Sequence, residues 1–166
     1  MIRGDKRGQT KISFGMIVAI ILIVVFISVA FYAISKFIGL QKIAETSKFT
    51  DDLQIDIDKI WKSQGSQEVN YRLPSRVEKV CFVDYDVVAE GENQGIYGDL
   101  KKAFYGDENM IFYPVGSGEG LDSKIIEHID IDLITSENNP FCLDNDNGVK
   151  MTISRDFGDS LVTITG

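Results

Sequence analysis

From Ile12 to Ser35 the chain runs for 24 residues without a charge, most of them Ile, Val, Phe, Ala or Leu. A helix rises about 1.5 Å per residue, so such a run spans roughly 36 Å, against about 30 Å of bilayer hydrocarbon. The competing use for a run of this kind is a buried helix in a large soluble core, and too little chain follows to wrap one. The run is read as a membrane-spanning helix.

Charge gives the span a direction. Residues 1–11 carry Arg3, Lys6, Arg7 and Lys11 against Asp5, and Lys36 closes the far end. Residues 37–166 hold 12 Lys or Arg against 24 Asp or Glu. Basic flanks stay cytoplasmic, which predicts a cytoplasmic N-terminus and an acidic domain outside. An acidic domain is also a poor partner for nucleic acid or an anionic lipid surface, because phosphate contacts need Lys and Arg. A cleaved secretory signal has a shorter apolar region ended by small residues, whereas this run passes directly into Tyr32-Ala33-Ile34-Ser35-Lys36-Phe37.

The residues before the span carry a second signal. Lys6-Arg7-Gly8 is followed by Gln9-Thr10 and then the apolar run. This junction resembles the class III signal peptides of archaeal type IV pilin-like proteins and archaeal flagellins, over residues 6–35. The resemblance implies cleavage after Gly8, a mature chain beginning at Gln9, and a span that packs against identical subunits. In pilins the fifth mature residue is usually glutamate; here that position is Ser13, with Lys11 two residues earlier. Without the resemblance, Lys6 and Arg7 read as a positive-inside flank.

Beyond Gly39 the pattern turns amphipathic. Ile43, Phe49, Leu53, Ile57 and Ile60 follow mostly three- and four-residue steps with Trp61 alongside, which predicts one buried stripe. Gly65 is the expected stop, and Thr50-Asp51-Asp52 is an alternative cap for a new helix. A long N-terminal helix half in the membrane and half under a β-rich head is also the pilin plan.

After residue 66 the chain reads as strands. Gln67–Leu73 and Val77–Val83 flank a turn at Pro74-Ser75, and Ile96–Tyr105 reads as a short helix. Met110–Val115 is an apolar strand, Gly116–Gly120 a flexible connection, and Ile129-Asp130-Ile131-Asp132-Leu133 alternates as a half-wet strand. Asn147-Gly148 suits a hairpin turn between Phe141–Leu143 and Val149–Ile153, and a second turn at 157–160 leads into Leu161–Thr165. The expected class is therefore α+β: a cytoplasmic flank (1–11), a transmembrane helix (12–40), a stalk helix (41–65) and a mainly antiparallel β head with one short helix (66–166).

Few residues suggest chemistry. Cys81 and Cys142, the only cysteines, lie in strand-like contexts; outside the cytoplasm they are expected to form a disulfide, the alternative being two buried thiols. Asp144 and Asp146 lack calcium-loop spacing and read as a solvated hairpin tip. Gly116-Ser117-Gly118-Glu119-Gly120 is neither a phosphate loop nor a nucleophile elbow. His128 is the sole histidine, no two carboxylates stand out as an acid–base pair, and no Asn-x-Ser/Thr sequon occurs. No cofactor, metal or catalytic set is expected. The readings are a non-enzymatic surface protein forming filaments through its N-terminal helix, with Gly15 and Ser28 easing close approach, or a solitary anchored domain serving another partner; a tethered enzyme ranks third.

Overall fold

The computed structural model describes residues 14–166. Packing divides the chain into two compact units, Met1–Ile38 and Gly39–Gly166. Helix α1 covers Phe14–Ser63 without the break that Thr50-Asp51-Asp52 allowed.

In the first unit every described residue is helical and side chains such as Phe14, Phe26 and Phe31 lie exposed. β-branched Ile and Val are mediocre helix formers in water, so propensity does not account for this helix. In an apolar solvent a helix would be strongly favoured, because it satisfies every backbone polar group internally.

In the second unit α1 buries Phe49, Leu53, Ile57 and Ile60, whose steps of four, four and three residues place them on one stripe. Ile43, expected in that stripe, is exposed, and Thr46 and Thr50 extend it instead. Their hydroxyls are satisfied within the helix, Thr46 Oγ1 donating to Lys42 O (3.1 Å) and Thr50 Oγ1 to Ser47 O (2.8 Å). The helix ends one residue before the expected place. Gln64 N donates to Ile60 O, and positive φ at Gln64 (60°) and Gly65 (108°) reverses the chain.

The elements that follow are β1 (Gly65–Tyr71), β2 (Lys79–Phe82), a helical stretch centred on α2 (Tyr97–Leu100) with 3-10 turns on either side, β3 (Met110–Tyr113) and β4 (Ser123–Lys124). Then come α3 (Ile131–Ile134), β5 (Phe141–Asp144), β6 (Val149–Arg155) and β7 (Thr163–Thr165). They form two antiparallel sheets, β1-β6-β7 and β4-β3-β2-β5. The fold is α+β, as expected: a long apolar N-terminal helix and a head of antiparallel sheets with short helices.

One core gathers the α1 stripe, the inner face of the three-stranded sheet (Val149, Met151, Ile153, Ile164) and one face of the four-stranded sheet (Val80, Phe82, Met110, Phe112, Leu143). The second face of the four-stranded sheet, through Cys81 and Ile111, packs on Leu100 and Ala103 of the α2 region. Because both its faces are covered, β2 from Val80 onward and β3 throughout read as apolar runs, whereas β6 alternates buried and wetter residues.

Two sequence expectations need correction. Ile129–Leu133 is not a strand: Ile129 makes a single parallel bridge to Val162, and Asp130 then caps α3 by accepting from Leu133 N at 3.0 Å. A capping carboxylate outweighed the two-residue alternation, and Leu133 lies exposed while Ile134 enters the core. Nor do Phe141–Leu143 and Val149–Ile153 make a hairpin, since β5 pairs with β2 and β6 with β1. The Asn147-Gly148 reversal passes the chain from one sheet to the other. Asn145, half-buried between the exposed Asp144 and Asp146, pins that passage by donating to Pro74 O and Val77 O and accepting from Gly148 N. Gly148 is obligatory there: at φ +130° a Cβ would sit 2.4 Å from Asn70 Oδ1. The turn after β6, by contrast, does close a β6–β7 hairpin.

Candidate functional site

The largest feature with a functional meaning is the apolar surface of α1. This is the one helix among the described residues long and apolar enough to cross a membrane, and its apolar window has no buried portion. Its two serine hydroxyls are already spent, Ser28 Oγ donating to Val24 O (2.8 Å) and Ser35 Oγ to Phe31 O (2.9 Å). Gly15 and Ser28 are 13 residues apart, which at about 100° per residue sets them roughly 140° apart around the helix. No single seam uses both. Gly15 shares its face with Ala19, Ala30 and Ala33, and Ser28 shares the other with Ser35. Lys36 lies over the Tyr32 ring at 5.8 Å, the pairing of a snorkelling cation and an amphipathic aromatic expected at a membrane boundary. The junction Lys6-Arg7-Gly8-Gln9, and Ser13, lie outside the described residues.

Cys81 and Cys142 are joined, at directly opposed positions of neighbouring strands β2 and β5 with their Cα atoms 4.0 Å apart. Cys81 is fully buried, so the bridge closes its 61-residue separation from inside the second core.

Asn139, also fully buried, fastens the polar segment after β2 to the start of β5. Its Nδ2 donates to Asp84 O (2.7 Å) and Val87 O (3.3 Å), and its Oδ1 accepts from Asp84 N (3.2 Å). Asn139→Ala is expected to cost about 2 kcal/mol, because it strands buried backbone groups without partners. Chemical denaturation checks this, and a cost below about 0.5 kcal/mol would remove the role.

His128 is held by an aromatic stack and a hydrogen bond to α1. Its ring stacks on Trp61 with centroids 3.8 Å apart and planes 10° apart, and its Nδ1 is 3.0 Å from Asp58 Oδ1. Trp61 Nε1 donates to Ser160 O (3.0 Å), and Arg155 donates to the Trp61 carbonyl. The bond from His128 is the main reason Asp58 lies below the ordinary carboxylate range, opposed by burial and aided by Gln54 and Lys62. An Asp–His pair is also part of a nucleophile-activating set, but among the described residues no hydroxyl is hydrogen-bonded to His128.

The other carboxylates do local work. Asp56 accepts from Tyr71 Oη at 2.6 Å; burial and that carboxylate raise the phenol well above its usual value. Glu108 accepts from Tyr105 N and Gly106 N, bonds that lower its carboxyl. Asp84, Asp86, Asp107 and Glu108 rim a shallow depression of about 250 Å³ beside Tyr85 and Phe104. Among the described residues no three His, Cys, Asp or Glu side chains converge as metal ligands.

Sequence reasoning brought Cys81 to Cys142 but not Asp58 to His128. Seventy residues separate those two and no spacing rule links them. The available hint was that Gln54, Asp58 and Trp61 follow steps of four and three along the edge of the buried stripe. Comparison with known proteins finds no matching family model, no similar curated protein and no similar solved structure.

Proposed function

We propose that this chain is a membrane-anchored, non-enzymatic cell-surface protein that assembles with identical subunits through its N-terminal helix, in the manner of a pilin. The N-terminus is cytoplasmic, the acidic head is extracytoplasmic, and the anchor's contacts are lipid and neighbouring copies of itself. One observation carries the reading: α1 exposes an apolar surface from Phe14 to Leu40 while the head closes its own core around Phe49–Ile60. That exposed stretch is about 40 Å long, roughly 10 Å more than the hydrocarbon it would cross. Phe37 and Leu40, past Lys36, are the excess, and neighbouring helices would cover them where lipid does not. The Lys-Arg-Gly-Gln junction and the disulfide, a bond of oxidising compartments, support the same reading.

Intact-mass measurement of membrane-extracted protein tests it, with a mature chain beginning at Gln9 as the expected result. Electron microscopy of the same preparation is expected to show filaments. A chain retaining Met1 and staying monomeric overturns the assembly reading. The second reading, a solitary single-pass protein whose head assists another partner, is favoured by Ser13 and Lys11 where pilins usually have a glutamate-bearing start.

A further inference from the structure

Phe157, in the turn between β6 and β7, is 94% exposed, more than any other large apolar residue among those described. Scattered apolar residues on a surface need no explanation, but this one is held out on a built turn. Asp159 N donates to Asp156 O (3.2 Å), and Gly158 supplies a positive φ of 104° that a side chain would resist. Arg155 Nε donates to Asp159 O (2.8 Å) and Trp61 Nε1 to Ser160 O (3.0 Å), so β6 and the end of α1 both hold the turn's backbone. An aromatic ring presented on a fixed backbone loses little freedom when another surface closes over it. The carboxylates of Asp156 and Asp159 flank it, with no ion-pair partner among the described residues.

The other end of the same ladder carries a hollow. β1 and β6 pair from Gly65–Arg155 to Tyr71–Val149, which sets the two ends about 20 Å apart. At the Tyr71 end α1 and β1 border a cavity of about 320 Å³, to which the buried rings of Phe49 and Tyr71 contribute an apolar wall. Its charges are Glu45, Lys48, Asp52 and Arg72. Lys48 pairs with Asp52, and Gln41 donates to Glu45, whereas the Arg72 guanidinium has no hydrogen-bond or ion-pair partner among the described residues. The other hollows suit an acidic tip less well. Those beside Tyr85 and beside Leu133 are lined by carboxylate and no cation, and the one beside Lys124 has two carboxylates to its one cation. Like charges facing each other across a contact are strongly disfavoured.

We propose that Phe157 of one copy seats in the Phe49–Tyr71 hollow of the next, with Asp156 and Asp159 meeting Arg72, as a head-to-tail contact between identical subunits. This contact rests on the self-assembly described above and adds to it a joint made by the heads. Phe49 and Tyr71 already meet edge to face at 5.3 Å, and a third ring entering beside them extends an aromatic cluster. The carboxylates arriving with that ring give Arg72 the partner it lacks within its own chain. Knob and hollow are different surfaces at opposite ends of one ladder, so every subunit offers one of each. Such a contact propagates along a line instead of closing a pair.

The full chain, assembled and sedimented, tests the contact. Phe157→Ser should lower the sedimentable fraction about tenfold, the loss expected of a central aromatic anchor. Its circular dichroism and melting temperature should stay at the wild-type values, because the ring is exposed in the free head. Arg72→Glu should lower assembly to a similar extent. A chain carrying Lys48→Cys and Asp156→Cys keeps Phe157, Asp159 and Arg72; in its filaments a bifunctional maleimide should give a ladder of covalent multimers, and neither single variant should cross-link. A wild-type chain that forms no filaments overturns the assembly reading and this contact with it. Wild-type filaments that persist undiminished in Phe157→Ser, or that give no ladder in the paired-cysteine chain, overturn the contact alone. So does cross-linking of Asp156→Cys by itself, which means tip-to-tip pairing. If Phe157→Ser fails to fold, the ladder still decides.

Discussion

Removing the bridge with Cys81→Ala and Cys142→Ala together is expected to lower the unfolding free energy by about 4 kcal/mol, the chain-entropy value for a loop near 60 residues. For a unit of this size that corresponds to a loss of roughly 15 °C in melting temperature. The location makes the effect more than a loop-closure constant. Between the two cysteines lie the Asn139-tethered segment, the α2 region, β3, β4, the His128 segment and α3, so nearly the whole irregular half of the head hangs on one covalent pin. Reductant added to the wild-type chain should reproduce the loss, and the double variant should be insensitive to it. A change below about 1 kcal/mol, measured by denaturant titration, would show that β2–β5 pairing holds without the bond.

Phe49→Ala is expected to cost about 4 kcal/mol, at the upper end for buried aromatic truncations. Phe49 is where the helix meets both sheets: its ring centroid is 5.3 Å from that of Tyr71 on β1 and 5.6 Å from that of Phe112 on β3, each edge to face. Truncation removes those contacts and leaves a cavity that neither sheet can collapse into without giving up its own register. Ile55→Ala supplies the control: on the same helix but 64% exposed, it should change stability by less than about 0.5 kcal/mol. An equal cost for the two substitutions would mean that the stripe is not the joint between helix and sheets. An effect confined to β1 amides in hydrogen exchange would mean that Phe49 serves only one sheet.

The two corrections to the strand assignments share a cause. Alternation at 129–133 and strand pairing across the Asn-Gly turn at 147–148 were inferred from local signals; a single side-chain cap overrode the first, and contacts made far along the chain overrode the second, although the turn itself forms. Asp130 found the Leu133 amide, and Asn145 found carbonyls at residues 74 and 77. The same limit hid the Asp58–His128 pair. A lone histidine has no sequence context that names its partner, whereas two lone cysteines name each other.

The sequence by itself determined the apolar span, the polarity of charge around it, the α+β class, and the stripe at Phe49, Leu53, Ile57 and Ile60. These are properties of composition and short period, which a chain expresses before it has any tertiary partner. Tertiary structure alone decided that β5 and β6 belong to different sheets, that the four-stranded sheet is covered on both faces, and that His128 lies on Trp61 beside Asp58. Sheet membership and side-chain convergence depend on which distant surfaces bury each other, and burial is a property of the whole packed head rather than of any window along its chain.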